Sequence, residues 1–253
     1  MIVSLEVVPR DRETLAASVK TALAFPEISL INVPDLTRFS LRSWEACGII
    51  ADVQAENAAS RSLPTMPHMR AIDFDLHESI PHRDAFRGID RILVIAGDLP
   101  KGGEAHKTYP TETTAFIRKL KAEMPELKVY AAFDPYRSNI RYELDYLKAK
   151  EDAGAEGFMS QPFFDIRLLE IYAEYLEGKD VYWGVSPVLS ASSRNYWESR
   201  NRAIFPRSFT PDLSWNVDFG RQVLDFCRNN GFNLYLMPIR VDLETYLAGL
   251  FAN

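Results

Sequence analysis

The sequence predicts an α/β protein folded as a single (β/α)8 barrel, on three observations. Short β-rich runs alternate with helical stretches from end to end, a rhythm that gives parallel strands and right-handed crossovers. Eight such strands can be counted, and 253 residues suit one barrel of roughly 250 residues. We see no composition shift or linker that marks a boundary, so residues 1–253 are expected to form one catalytic domain.

The predicted strands are rich in Val, Ile, Phe and Tyr, and several lack polar alternation, as strands covered on both faces do. They are Ile2–Val8, Ser29–Pro34, Met69–Phe74, Ile92–Asp98, Val129–Asp134, Gly157–Phe164, Val181–Pro187 and Asn233–Ile239. The helical stretches between them are Thr14–Phe25, Leu41–Ser60, Thr111–Glu123, Asn139–Ala153, Ile166–Leu176, Ala191–Arg202 and Phe219–Asn229. Ser79–Gly88 is a further helical candidate, although Pro81 fits only a first turn, and Phe205–Ser214 is predicted to be a loop.

The composition excludes several classes of protein. With 47% hydrophobic and 25% charged residues it is typical of a soluble enzyme, and a net charge of −6 argues against nucleic-acid binding. Cys47 and Cys227 fall in helical stretches and are expected to be inert packing thiols rather than part of a disulfide or zinc site. We find no signal-peptide pattern, membrane span, dinucleotide glycine motif or P-loop, and we expect a cytoplasmic protein.

Candidate catalytic residues are polar groups near the carboxyl ends of strands, where a parallel barrel carries its active site. Glu6 stands in the apolar run Val-Ser-Leu-Glu-Val-Val-Pro, where burial would raise its pKa as a general acid requires; alternatively it pairs with an arginine. Asp98 follows Gly97, which lets a ligand approach closely, but its position alone favours a turn or N-capping aspartate. Gln161, among aromatic residues, suits the edge of a heterocycle or a buried structural role.

Other polar residues have simpler interpretations. His68 is expected to be a buried hydrogen-bonding residue, and Lys148 and Lys150 are expected on a solvated helix face. The remaining histidines lack metal-ligand spacing and are expected in solvent-facing loops, so that no metal site is predicted; they are His77, His82 and His106.

Taken together, these segments resemble the methylenetetrahydrofolate reductase family, in the family's own order along nearly the whole chain. Leu-Glu-Val-Val-Pro-Arg resembles its motif F-E-F-F-P-P-R, Pro-His-Met-Arg-Ala-Ile-Asp is similar to P-H-L-T-C-x-D, and Ile-Ala-Gly-Asp-Leu-Pro to L-R-G-D-x-P. Tyr-Ala-Ala-Phe-Asp-Pro, Leu-Lys-Ala-Lys-Glu-Asp-Ala-Gly-Ala and Ser-Gln-Pro-Phe-Phe-Asp parallel V-A-x-Y-P-E, L-K-x-K-V-D-A-G-A and T-Q-x-F-F-D. Trp-Gly-Val-Ser-Pro-Val resembles P-G-I-x-P-V. The Asp98 segment and residues 148–165 are the most specific matches.

The resemblance implies an FAD enzyme that interconverts 5,10-methylenetetrahydrofolate and 5-methyltetrahydrofolate by hydride transfer, with NAD(P)H as electron partner. Glu6 would be the general acid that helps open the folate's five-membered ring, Asp98 would lie near flavin and pterin, and Gln161 would hydrogen-bond the pterin. Trp197 falls near the family's stacking aromatic residue and Arg240 near its arginine for the folate tail. The implied cofactor contacts are His68, Gly97, Asp98, Tyr109, Ala131, Phe133, Arg137, Glu143 and Lys150.

Departures from the family pattern lie mainly on the flavin side. The family's arginine, tyrosine, histidine and aspartate are replaced here by Ala96, Phe133, Arg137 and Glu143, and a threonine of the second strand by Asn32. FAD dependence, a flavin-free nicotinamide-dependent reductase, another pterin-handling barrel such as a methyltransferase, and a non-catalytic folate-binding accessory subunit therefore stay open. The resemblance is to the short, bacterial-type catalytic barrel, whose relatives commonly self-associate, which implies a homo-oligomer.

Overall fold

Eight parallel strands close into a barrel in chain order in the computed structural model, which describes residues 1–57, 61–81, 83–86, 88–100 and 106–252. The last strand pairs with the first, with Ser4 in register with Tyr235. This confirms the predicted (β/α)8 barrel. The strands are β1 (Val3–Glu6), β2 (Leu30–Val33), β3 (Thr65–Arg70), β4 (Arg91–Ile95), β5 (Lys128–Phe133), β6 (Gly157–Pro162), β7 (Val181–Val185) and β8 (Asn233–Leu236).

Helices surround the strands, and most begin at a side chain that accepts a hydrogen bond from a backbone N–H of the first turn. These N-caps are Asp11, Asn139, Asp165, Ser190, Asp212 and Asp242. The helices are α1 (Arg12–Ala24), α2 (Ser43–Glu56), α3 (Thr113–Glu123), α4 (Ile140–Asp152), α5 (Ile166–Tyr175), α6 (Ala191–Asn201), α7 (Leu213–Asn230) and α8 (Leu243–Phe251). Within the described residues, no helix is both long and apolar enough to span a bilayer.

Four of the described elements differ from the sequence prediction. The third strand covers Thr65–Arg70 instead of Met69–Phe74, because it runs through Pro67, in register with Val33, and then turns into a 3-10 helix at Ala71–Asp73. The 3-10 helix Arg83–Phe86 is the helical part of the described residues in the segment Ser79–Gly88. The seventh helix begins at Leu213, inside the predicted loop, because Asp212 caps it. Sequence analysis missed α8.

The core has two layers, because successive strand residues point alternately into the barrel and toward the helices. The interior is filled by a cluster of Leu30, Met66, Leu93, Tyr130, Met159, Tyr182, Tyr235 and Met237. On β5, Tyr130 and Ala132 contribute to this interior, so Ala131 and Phe133 belong to the layer beneath the helices. Cys47 and Cys227 are free and buried, as predicted.

Candidate active site

Glu6 ends β1 and lies at the carboxyl end of the barrel interior. Tyr235 of the neighbouring strand β8 donates a hydrogen bond from its phenol to Glu6 Oε2, so the partner of this carboxyl is a tyrosine rather than an arginine. Burial raises the pKa of Glu6 to about 7, and the hydrogen bond from Tyr235 acts against that rise. The carboxyl group therefore keeps its proton up to neutral pH, as a general acid must.

Two further polar side chains join Glu6 and Tyr235 in what we call the upper interior layer (Glu6, Asn32, His68 and Tyr235). Asn32 is in register with Glu6, and its Nδ2 lies 3.8 Å from Met159 Sδ. The His68 ring meets Tyr235 edge-on, with ring centroids 6.5 Å apart, and burial lowers the pKa of His68 to about 3, so its imidazole is neutral. Asn32 Oδ1 and His68 Nε2 are buried without a hydrogen-bond partner. Leaving such an atom without a partner costs about 1–3 kcal/mol, so both atoms are available to hydrogen-bond a group that enters the barrel interior.

Asp98 lies on the loop that follows β4, and a buried arginine holds its backbone. Arg70 Nη2 donates to the Asp98 carbonyl oxygen at 2.6 Å, while Arg70 Nε lies 3.6 Å from Asp73 Oδ1. The Asp98 side chain is exposed, and the N-cap of the next helix, α3, is Glu112, so Asp98 does not cap that helix. Sequence analysis did not single out Arg70; its signal was an arginine at the end of a buried strand.

Gly97, beside Asp98, adopts φ +89°, and a Cβ there would lie 2.8 Å from Ile72 Cγ1 and 2.9 Å from Arg70 Nε. We expect Gly97→Ala to lower the free energy of unfolding by about 2–3 kcal/mol, from backbone strain plus this overlap. Gly88→Ala is the matched control, because Gly88 has φ +81° with nothing near its Cβ, and it should cost only about 1–2 kcal/mol. Equal losses in urea denaturation would show that close packing at Gly97 is unimportant.

Asp73 connects Arg70 to a network of further charged side chains. Asp73 accepts hydrogen bonds from Arg42 Nη2 at 2.6 Å and from His106 Nε2 at 2.9 Å, and Arg42 also binds Asp35. The prediction that His106 faces solvent is therefore wrong, because its side chain is only 25% exposed and is held by Asp73. His82, predicted in the same way, lies outside the described residues.

Two of the residues implied for the cofactor lie on loops at the carboxyl end of the barrel. Tyr109 is half-buried, and its backbone N–H donates to the Ile72 carbonyl oxygen at 2.7 Å. Arg137 is exposed just after β5. His68 on β3, and Gly97 and Asp98 on the loop after β4, belong to the same end of the strands.

The other implied cofactor residues are engaged in contacts within the protein. Ala131 is buried beneath the helices, and Phe133 packs among the aromatic rings of the same layer. Glu143 is buried on α4 and accepts a hydrogen bond from the Asp134 backbone N–H at 3.2 Å. Lys150 donates to the Ala132 carbonyl oxygen at 2.7 Å.

Lys150 is 3% exposed, so its predicted place on a solvated helix face is wrong, because α4 turns it toward β5. Burial lowers the pKa of Lys150 to about 8, and the negative charge of Glu143 acts against this. The prediction holds for Lys148, whose side chain is 63% exposed.

The residues implied for the substrate are not gathered in the upper interior layer. Gln161 is exposed on β6, where the register with β7 shifts, and so is not a buried structural amide. Trp197 is buried on α6 against Phe164, with ring centroids 5.4 Å apart. Arg240 is exposed after β8, with φ 55°. Of the three candidates for catalysis, only Glu6 belongs to the upper interior layer.

Tyr235 was also missed by sequence analysis. Its only signal was its place in Asn-Leu-Tyr-Leu-Met: Tyr235 faces the barrel interior, whereas Leu234 and Leu236 on either side of it face the helices. No feature of that run distinguishes it from a packing tyrosine until β8 is set beside β1.

Comparison with solved structures identifies the same fold in other enzymes. Oxaloacetate acetylhydrolase superposes with a TM-score of 0.58 and 11% identity, covering 98% of this chain and 79% of that one. A 2,3-dimethylmalate lyase of the PEP mutase/isocitrate lyase superfamily gives a TM-score of 0.52 at 14% identity, covering 91% and 82%. At such identities the likeness shows the fold alone.

Sequence comparison identifies the family. The family profile for methylenetetrahydrofolate reductase matches residues 43–213, more than half of the chain. A probable methylenetetrahydrofolate reductase (NADPH) from Caenorhabditis elegans is 26% identical over 160 residues, and a 5,10-methylenetetrahydrofolate reductase from Escherichia coli (strain K12) is 28% identical over 106 residues. These matches cover 59% and 41% of this chain but only 24% and 36% of those relatives. The chain belongs to the methylenetetrahydrofolate reductase family.

Proposed function

We propose that this protein is an oxidoreductase that interconverts 5,10-methylenetetrahydrofolate and 5-methyltetrahydrofolate. The observation that carries the proposal is the Glu6 carboxyl, held by Tyr235 at the barrel opening, with a pKa raised to about 7. Relatives that match this chain are called 5,10-methylenetetrahydrofolate reductases, and this supports the choice of substrate. These matches span about a third of the length of those relatives.

Glu6 would supply the proton that the reaction needs. The methylene carbon of the substrate bridges two nitrogens, and protonation of one lets its bond to that carbon break, leaving an iminium on the other. A neutral carboxylic acid at the ring can deliver that proton without solvent. Hydride addition to the iminium carbon then gives the methyl group, and the Glu6 carboxylate is left to regain its proton.

The other polar groups would bind and orient the folate. Asn32 Oδ1 and His68 Nε2 are buried and unpartnered, so a pterin edge that reaches the upper interior layer would satisfy both atoms. Asp98, exposed on the loop after β4, and Gln161, exposed on β6, would bind the rest of the pterin. Arg240, exposed after β8, would pair with a carboxylate of the folate tail.

We propose FAD as the cofactor, and the residues near the opening fit it in part. His68 offers an unpartnered ring nitrogen. Asp98 and Arg137 are exposed on the loops after β4 and β5, and Tyr109 is half-buried on the same loop as Asp98. When bound, FAD would carry the hydride between NAD(P)H and the folate. Glu143 and Lys150 would support this site from beneath, through their bonds to the backbone of Asp134 and Ala132.

A second candidate is a flavin-free reductase that takes hydride directly from a nicotinamide. It is favoured by Ala96, which offers a methyl group where the family motif has an arginine, and by Phe133, which is 2% exposed and sealed among other rings. The accessory-subunit hypothesis is less well supported, because a non-catalytic subunit has no need of an acid with a raised pKa.

An anaerobic absorption spectrum separates these candidates. Purified protein is supplied with FAD, freed of excess by gel filtration, and then mixed with 5-methyltetrahydrofolate. We expect a bound flavin band that bleaches as the folate is oxidised. A chain that retains no flavin but oxidises NADH when 5,10-methylenetetrahydrofolate is added supports the second candidate. A chain that does neither, yet binds folate in calorimetry, contradicts both enzyme proposals.

A further inference from the structure

Tyr235 is not among the residues that the family motifs or the sequence pattern single out, yet it forms the hydrogen bond to Glu6. We propose that Tyr235 is a positioning residue that tunes Glu6 as an acid and fixes which carboxyl oxygen carries the transferable proton. Its consequences for turnover rest on the proposed function, but its effect on Glu6 does not.

The phenol is held firmly in place. Tyr235 is 3% exposed, is paired in register with Ser4 of β1, and meets the ring of His68 edge-on. Close packing of this kind leaves a tyrosine ring no second rotamer to adopt. Burial raises the pKa of Tyr235 well above its usual value, so the phenol stays protonated and remains a donor at physiological pH.

The direction of the hydrogen bond determines where the proton of Glu6 resides. A phenol that donates to Oε2 occupies that oxygen as an acceptor, so the proton of the neutral carboxyl is left on Oε1. After Glu6 gives this proton away, the same hydrogen bond stabilises the carboxylate, because bonds to a charged acceptor are stronger than bonds to a neutral one. Tyr235 therefore favours proton release without supplying a proton itself.

Burial raises the pKa of Glu6, and the hydrogen bond from Tyr235 acts in the opposite direction. Among the described residues, Tyr235 of β8 donates to Glu6, Asn32 of β2 is in register with Glu6 and donates from Nδ2 to Ser4 Oγ, and His68 of β3 meets the Tyr235 ring edge-on. Asn32 carries no charge, and burial keeps His68 neutral by lowering its pKa to about 3. Without the phenol, burial alone would hold the proton on Glu6 more tightly and make it a poorer acid.

Tyr235→Phe tests the inference. It keeps the ring and removes the donor, and we expect the alkaline limb of the pH–rate profile to move up by about half a pH unit to one unit, the worth of one such hydrogen bond. We also expect kcat to fall about tenfold with KM nearly unchanged. Tyr182→Phe is the matched control, because Tyr182 is an equally buried tyrosine of the barrel interior whose hydroxyl does not bind Glu6.

A second readout is independent of turnover. The pH at which the contribution of Glu6 to the free energy of unfolding stops falling reports the pKa of Glu6 in the folded protein, and it should rise in Tyr235→Phe and stay constant in Tyr182→Phe. Replacing Tyr235 by 3-fluorotyrosine, a stronger donor of almost the same shape, should move it the opposite way. Opposite shifts support the inference. Unmoved pKa values in both variants, or the same shift in Tyr182→Phe, overturn it, whether or not the protein turns over folate.

Discussion

Glu6→Gln is expected to abolish folate turnover while folate binding stays within a few-fold of that of the wild type. The amide keeps the shape of the carboxyl and can still accept a hydrogen bond from Tyr235, but it has no proton to give to the departing nitrogen. Loss of a general acid lowers the rate by about 10²–10⁴-fold. Single-turnover kinetics and isothermal titration calorimetry measure the two effects separately. Wild-type turnover in this variant would remove Glu6 from the mechanism.

The same substitution should stabilise the protein above neutral pH. The pKa of Glu6 is raised from 4.5 to about 7 on folding, so the folded state binds a proton that the unfolded state has already lost. The contribution of Glu6 to the free energy of unfolding is therefore greatest below about pH 4.5, falls as the pH rises toward 7, and is then constant. Glutamine has no such penalty, and we expect Glu6→Gln to be more stable than the wild type by about 1–3 kcal/mol at pH 8.

Urea denaturation at pH 4.5 and pH 8 checks this expectation, because the gain should vanish at the lower pH. Glu198→Gln is the control, since Glu198 lies on an exposed helix face and pairs with Arg194. It should change neither turnover nor the pH dependence of stability. If Glu6→Gln is destabilised equally at both pH values, the Glu6 side chain stabilises the fold, and its ionisation does not reduce the stability of the wild type.

The fold and the buried carboxyl of Glu6 could be predicted from the sequence because each has a local signal. The alternation of strands and helices is visible in any stretch of the chain, and Glu6 stands out as a carboxylate within an apolar strand. Tyr235 has no local signal, because its meaning depends on β1 and β8, which lie at opposite ends of the chain and meet only when the barrel closes. The two hydrogen-bonded residues are 229 positions apart in the chain, so no short sequence segment contains both of them.

Errors at the helices have a related origin. Lys150 occurs in a charged stretch that is typical of a solvated face, but its position on α4 turns it toward β5, where the Ala132 carbonyl oxygen accepts its hydrogen bond. Phe133 alternates with Ala132 on the strand, so the resemblance alone could not determine that its ring faces the helices. Sequence assigns such residues to a segment, whereas packing decides whether they face a ligand or support the backbone that does.

Arg70→Met is expected to lower turnover by about 100-fold, although Arg70 has no assigned part in the chemistry. Its guanidinium lies between Asp73 and the carbonyl oxygen of Asp98 and so fixes the loop that carries the Asp98 carboxylate. A displacement of about 1 Å at such a residue can cost about 10²-fold in rate. Methionine fills the volume of the arginine stem but makes neither polar contact, so the loop is released.

Stability should suffer less than the loss of a buried ion pair usually implies. Removing one partner of such a pair costs about 3–5 kcal/mol, because the other charge is left buried and unpaired. Asp73, however, keeps its hydrogen bonds from Arg42 and His106. We therefore expect the free energy of unfolding to fall by only about 1–3 kcal/mol, and the variant to remain folded.

The kinetic pattern distinguishes a loop-positioning role from simple destabilisation. Arg70→Lys can keep a single contact, either to Asp73 or to the Asp98 carbonyl oxygen, and should recover about tenfold of the lost kcat. Arg228→Met, on the exposed face of α7, is the control and should match the wild type in both kcat and stability. If Arg70→Met regains wild-type kcat when assayed well below its melting temperature, its defect is one of folding. If kcat stays low there while the protein is fully folded, the geometry of the Asp98 loop limits the reaction.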